Sequence, residues 1–189
     1  MSFIHDLVKL DELSAKTEEG KRLYQTPQGN SYPSVTTVTG ILSKDDIQAW
    51  RIRIGEEKAD QITRAATSRG NKVHKLAELY LRNELFSQST LFDEPKTNNY
   101  KMFEVLSSVL DNKVGVVRAI EAPLYSDVLR VGGRVDLVAE WDNELAVIDF
   151  KTSSKPKKEH WIDNYFMQSS AYAFMFEELT KIPINKIVI

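Results

Sequence analysis

The chain has 189 residues, 42% of them hydrophobic, and a formal net charge of −2, which suits one domain, or one core with a helical extension. It contains no cysteine, which excludes disulfides, thiolate-bound zinc and an iron–sulfur cluster. No apolar run approaches the ~20 residues of a membrane span and the N-terminus has no signal-like apolar region, so a cytoplasmic compartment is the expectation.

Residues 21–32 read as a hairpin turned by Pro27-Gln28-Gly29-Asn30. Ser34, after Pro33, is placed to cap a helix running to about Leu42. Asp45-Asp46 opens a helix carrying Trp50, Arg51 and Arg53; Gly55 breaks it, and a further helix runs toward Ala66. Gly70 precedes a strongly amphipathic helix with Val73, Leu76, Ala77, Tyr80 and Leu81 on its apolar face, and another helix covers about 96–112. The pattern then switches to strands over 114–125, 129–141 and 145–151, followed by a long helix over 160–180. Ile187-Val188-Ile189 reads as a last strand in which the chain stops, as a C-terminally truncated unit would. Helices, then three strands, a helix and a strand make an α+β arrangement. The expected organisation is a hairpin and helical part over 1–112 and a core over 113–189, folded as one compact unit.

A net charge of −2 argues mildly against nucleic acid. The charge is uneven, however. Residues 51–75 hold Arg51, Arg53, Lys58, Arg64, Arg69, Lys72 and Lys75, while 151–158 hold Lys151, Lys155, Lys157 and Lys158. Acids gathered at a metal site would lower the total without weakening a basic groove elsewhere.

The most informative stretch runs from Gly133-Arg134-Val135-Asp136 to Ile148-Asp149-Phe150-Lys151. Asp142-Asn143 between them is a two-residue turn signal, which pairs Trp141 with Glu144. Asp136 and Asp149 each lie five residues from that pair, so the register sets them opposite one another, with Cβ atoms ~4.5–5.5 Å apart. Carboxylates that close repel unless a cation lies between them or one is protonated. Lys151 falls on the same face, because strand side chains alternate with period two. The other face presents Val135, Leu137, Ala139 and Trp141 against Ala146, Ile148 and Phe150, and a one-residue slip would put charge into that apolar surface. An ordinary half-buried hairpin with a polar outer side is the alternative, but Val138 and Val147 share the acidic face.

Gly133-x-x-Asp136 followed by Asp149-x-Lys151 resembles the PD-(D/E)XK nuclease motif in its RecB-like form. Arg69-Gly70-Asn71-Lys72-Val73-His74 upstream resembles the RecB-type histidine motif, and Gln168-x-x-x-Tyr172 downstream resembles its Gln-x-x-x-Tyr helix. Tyr32 to Val38 and Trp50-Arg51-x-Arg53-x-Gly55 are similar to the phage and mitochondrial-genome-maintenance exonuclease branch. A lone Asp-x-Lys is a weak signal; four motifs in this order are a strong one.

The resemblance implies a restriction-endonuclease-like core, a mixed central sheet flanked by helices, with an N-terminal helical extension. It implies metal ligands at Asp136, Asp149, His74 and the Phe150 carbonyl, and hard Mg²⁺ or, given an imidazole, Mn²⁺ as the cofactor. Lys151 would act on the attacked phosphate or its water. Glu121, charged within an apolar strand, would be a further acid of the site; an edge-strand charge is its bland reading. Gln168 and Tyr172, four apart on one helix face, would orient groups beside the metal, or simply pack. Ser34, Thr36 and Thr37 would meet phosphate; for Ser34 a helix cap is sufficient. Arg51, Arg53, Arg69 and Lys72 would line a DNA channel or form a solvated face. The implied activity is a metal-dependent DNA exonuclease that prefers single-stranded ends, in a phage or bacterial cytoplasm. A catalytically silent nucleic-acid-binding module and a structure-specific endonuclease are the alternatives.

Overall fold

A computed structural model describes residues 2–85, 97–154 and 162–189. Lys155, Lys157, Lys158 and the expected helix start at His160 lie outside the described residues.

Strand β1 (Ile4–His5) is followed by a small antiparallel sheet of β2 (Ser14–Glu18), β3 (Lys21–Gln25) and β4 (Ser31–Pro33). Next come α1 (Val35–Thr39), a 3-10 turn (Gly40–Ser43), α2 (Lys44–Ile54), α3 (Glu56–Leu81) and α4 (Asn98–Lys113). The second half holds β5 (Val114–Ser126), β6 (Val131–Trp141), β7 (Glu144–Ile148), α5 (Asp163–Thr180) and β8 (Lys186–Val188). The central sheet has the order β1-β5-β6-β7-β8. Its middle pairs are antiparallel, whereas β1 with β5 and β7 with β8 are parallel. The expected mixed sheet flanked by helices is therefore what forms, as in a restriction-endonuclease-like fold.

Burial explains the layers. Leu76, Leu79, Tyr80 and Leu81 of α3 and Phe103 and Leu110 of α4 pack on Leu137, Ala139, Ala146 and Ile148. Tyr172, Met175 and Phe176 of α5 pack on Val135, Val138 and Val147 from the opposite side, together with Val35 of α1.

Asp142 and Asn143 both take left-handed φ, 53° and 66°, the geometry of the two-residue hairpin turn. The register read from that turn holds from Trp141↔Glu144 to Leu137↔Ile148. There the ladder stops. The Asp149 N–H bonds the Val188 carbonyl at 2.9 Å and the Phe150 N–H bonds Asp136 Oδ2 at 2.7 Å, so residues 149–151 leave β6 rather than continue the strand.

Three further differences have physical causes. Val135 joins Val138 on the α5 side, while Leu137 stays on the α3 side, so strict alternation slips around Asp136. Glu121 faces Asp136 across the ladder, between Ile120↔Leu137 and Ala122↔Val135, with a left-handed φ of 46°. The two helices expected on either side of Gly70 are one continuous α3. A single interior glycine costs about 1 kcal/mol, less than burying the apolar face from Val73 to Leu81 returns. Strands β1 and β2 carry no sequence signal, one being two residues long and the other exposed throughout.

The two halves of α3 differ. Between Glu56 and Lys72 only Ala59 is buried, whereas the stretch from Val73 to Leu81 is anchored in the core. No residue of α2 is buried.

Candidate active site

Five elements converge at the end of the central sheet. Helix α3 supplies His74, β5 Glu121, β6 Asp136, the segment after β7 Asp149 and Lys151, and α5 Gln168 and Tyr172.

His74 lies at the centre. Its Nε2 sits 2.8 Å from the Phe150 carbonyl, which can only accept, so Nε2 carries a proton. Its Nδ1 faces Asp136 Oδ1 at 3.3 Å and Glu121 Oε1 at 3.9 Å. Burial alone would lower the imidazole pKa; hydrogen bonds and charge from Asp136 and Glu121 outweigh it and raise the pKa to about 10. At neutral pH an imidazolium thus supplies the positive charge that the two acids require.

The same atoms suit a metal ion. The donor atoms of His74, Glu121 and Asp136 all lie within 4.8 Å of one another. Neighbouring ligands in an octahedral shell with bonds of 2.0–2.1 Å are about 3 Å apart and opposite ones about 4 Å; the 3.3 and 3.9 Å separations from His74 Nδ1 fall between these. Two carboxylates and an imidazole match Mg²⁺ or Mn²⁺. With a cation bound, Nδ1 would give up its proton and Nε2 would still donate to Phe150, an outer-shell bond that fixes the ring.

Asp149, read from sequence as the second metal carboxylate, lies outside this group of three and Glu121 stands within it. Asp149 is buried and forms an ion pair with Lys151. Burial pushes its carboxyl pKa up, Lys151 pulls it down, and Asp136 pushes it up again. The departure of residue 149 from the β6 ladder explains the offset. The Phe150 carbonyl faces the site but is engaged by His74.

Lys151 Nζ also reaches Gln168 Oε1 at 3.4 Å and lies 5.1 Å from the centre of the Tyr165 ring. Gln168 Nε2 in turn donates to the Tyr172 hydroxyl at 3.3 Å. Tyr172 is buried, which raises its pKa beyond the ordinary tyrosine value. It packs on Gly133: a Cβ there would stand 2.6 Å from Tyr172 Cε1 and 3.0 Å from its hydroxyl. Glycine is required at 133 because Tyr172 occupies the space.

Sequence reasoning missed Tyr165 and Thr152. Arg69 Nε approaches Thr152 Oγ1 at 3.4 Å, and a Cβ on Gly70 would be 3.8 Å from the same oxygen. The signal for Thr152 was its place directly after Lys151. Tyr165 had only a position one turn before Gln168.

The candidate DNA contacts divide. Ser34 is buried; its Oγ accepts from the Thr37 N–H at 3.0 Å and lies 2.9 Å from Thr36 Oγ1, so it serves the helix cap. Thr36, Arg53 and Lys72 are exposed, and Arg69 is half-buried. Arg51 is bound to Glu56 and to Asp60, the latter at 2.6 Å, which raises its own pKa further.

The PD-(D/E)XK nuclease superfamily model matches residues 48–186 of the chain. The chain belongs to this superfamily. The matched range includes His74, Glu121, Asp136, Asp149, Lys151, Gln168 and Tyr172. It is similar to the mitochondrial genome maintenance exonuclease 1 of Homo sapiens, 31% identical over 140 residues, and of Mus musculus, 29% over 138. Each match covers 69% of this chain and 39% of the relative. The Xenopus tropicalis protein of that name is 32% identical over 116 residues, covering 59% of this chain and 32% of the relative. The chain thus spans about two fifths of the length of the first two relatives or less of the third. Their mitochondrial name lends no support to a phage or bacterial setting.

Proposed function

We propose that this PD-(D/E)XK protein is a metal-dependent DNA exonuclease that prefers single-stranded ends. The observation that carries the reading is the cluster of His74, Glu121 and Asp136 set beside the Asp149–Lys151 ion pair. His74, Glu121 and Asp136, with Asp149 adjacent, would hold Mg²⁺ or Mn²⁺. When bound, such a cation would lower the pKa of a coordinated water and neutralise charge on the attacked phosphate.

The protein's own groups do the rest. Lys151, its ammonium held by Asp149, Gln168 and the Tyr165 ring, holds a preorganised positive charge toward the developing oxyanion. Gln168 and Tyr172 fix where that ammonium points. Thr36, Arg53, Arg69 and Lys72 meet the phosphate backbone. Exonuclease action is carried over from the name of the relatives; the preference for single strands is what the motif resemblance implies, and the exposed basic residues of α2 and α3 suit a phosphate backbone. The same reading treats residues 1–112 and 113–189 as one unit, supported by β1 pairing with β5 and by His74 reaching Phe150.

A time course on end-labelled linear and circular single-stranded DNA, with Mn²⁺, Mg²⁺ or EDTA, tests the proposal. Release of nucleotides from linear DNA alone, abolished by EDTA, is the expected result. Cleavage of circles would assign an endonuclease instead, and undiminished activity after EDTA and dialysis would refute metal dependence.

A further inference from the structure

We propose that Arg82, Arg118 and Arg134 form a subsite for a phosphate of the substrate strand, separated from the acidic cluster by Glu121. The inference rests on the nuclease reading above and specifies where its substrate is held.

The three arginines, which come from the end of α3, from β5 and from β6, line one cavity of about 210 Å³, together with Glu121 and Glu12. Glu121 belongs to both places. Its carboxylate faces His74, and its carbonyl accepts from Arg134 Nη1. Across the sheet the order is Lys151 and Asp149 after β7, Asp136 on β6, Glu121 on β5, and then the arginine cavity. A strand whose reacting phosphate lies at the acids meets this cavity by continuing across the sheet in the same direction.

The guanidiniums are held but not used up. Arg82 Nη2 donates to the Ile120 carbonyl at 3.1 Å and its Nε to Glu78 Oε1 at 3.1 Å. Each guanidinium has five N–H donors in a planar fork that suits phosphate. The remaining partners are two exposed carboxylates. Asp6, with its side chain 68% exposed, pairs with Arg118, and Glu12, 83% exposed, lies 3.7 Å from Arg134 Nη2. Ion pairs this exposed hold weakly, so Asp6 and Glu12 occupy the places a phosphate would take and can be displaced by one.

The test measures binding without cleavage, by fluorescence anisotropy of a labelled single-stranded oligonucleotide in EDTA across a range of salt. In Arg118→Ala and in Arg134→Ala the slope of log Kd against log salt should flatten by about 0.7, the value for one single-strand phosphate. Lys21→Ala, on the small sheet, is the control for nonspecific charge loss. Because Arg134 also holds a strand carbonyl, Glu12→Gln provides a variant that leaves the fold alone. It should tighten binding by freeing Arg134. Repeating the series with 5′-phosphorylated and 5′-hydroxyl strands identifies the phosphate: equal losses assign an internal one, and a loss confined to the phosphorylated strand assigns the end. Slopes in Arg118→Ala matching Lys21→Ala, with Glu12→Gln unchanged, overturn the subsite while the nuclease reading stands. Wild-type protein that binds no DNA overturns both.

Discussion

In metal-free protein, replacing His74 with Gln should remove a pH-dependent share of stability that is large at pH 6 and nearly gone at pH 10. The imidazole pKa is raised from 6.5 to about 10 in the fold, so the folded state binds the proton more tightly than the unfolded chain. For a base with a raised pKa, the stabilisation is fully present below 6.5 and is lost as pH rises through about 10. Each unit in that window is worth about 1.4 kcal/mol, which makes roughly 5 kcal/mol in all. That is comparable with the whole stability of many domains. The assay is urea denaturation in EDTA, from pH 6 to 10, of wild type and His74→Gln. Subtracting one curve from the other cancels the remaining titrating groups. The expected difference declines steadily with pH, and saturating Mn²⁺ should reverse the trend, because a metal must displace the proton on Nδ1. A difference that stays constant within about 0.5 kcal/mol would show that no imidazolium sits between Asp136 and Glu121.

Asp149→Asn should abolish cleavage while leaving the metal-free fold equally or more stable, since a buried carboxylate whose pKa is raised by burial is removed; cleavage within threefold of wild type would count against its role. Lys151→Ala should cut single-turnover cleavage by ~100-fold or more, the scale for deleting a preorganised charge-stabilising group, with calorimetric metal affinity little changed. Lost metal binding with near-normal saturated turnover would instead make Lys151 a scaffold for the acids. Gly133→Ala should destabilise by about 1–3 kcal/mol, because its Cβ would collide with Tyr172; adding Tyr172→Phe, which removes only the hydroxyl, should relieve little of that, as the ring carbon is the nearer contact. Thermal melts of the single and double variants decide it.

The hairpin was legible in the sequence because a local signal fixed it: Asp142-Asn143 sets the turn, and the turn sets every pairing down to Leu137↔Ile148. That register and the motif order singled out Asp136, Asp149 and Lys151, but the pairing ends one step short of setting Asp136 against Asp149. What could not be read depends on contacts between distant segments. The exit of residue 149 from β6 is decided by the Val188 carbonyl, almost forty positions on. The slip of alternation at Asp136 accompanies the left-handed Glu121 across the ladder, and no residue preference marks it. Gly70 looks like a breaker in isolation, yet the packing of Val73 to Leu81 carries the helix through it. The small sheet was half visible. Its β3–β4 hairpin has a glycine turn at Gly29, with φ 87°, whereas β2 is polar and exposed.

Because α3 runs unbroken from Glu56 to Leu81, it behaves mechanically as a lever. Its core-bound end is the fulcrum, and the imidazole of His74 sits just beyond that fulcrum on the first anchored turn. The outer arm, where Arg53's helix joins through Gly55 and where Arg69 and Lys72 stand, has almost nothing pressing on it from the core. The same rod carries the ring that faces Asp136, Glu121 and Phe150. With no joint at Gly70, a strand held at Arg69 and Lys72, as the proposed function has it, would be tied through one continuous helix to the charge at the acids.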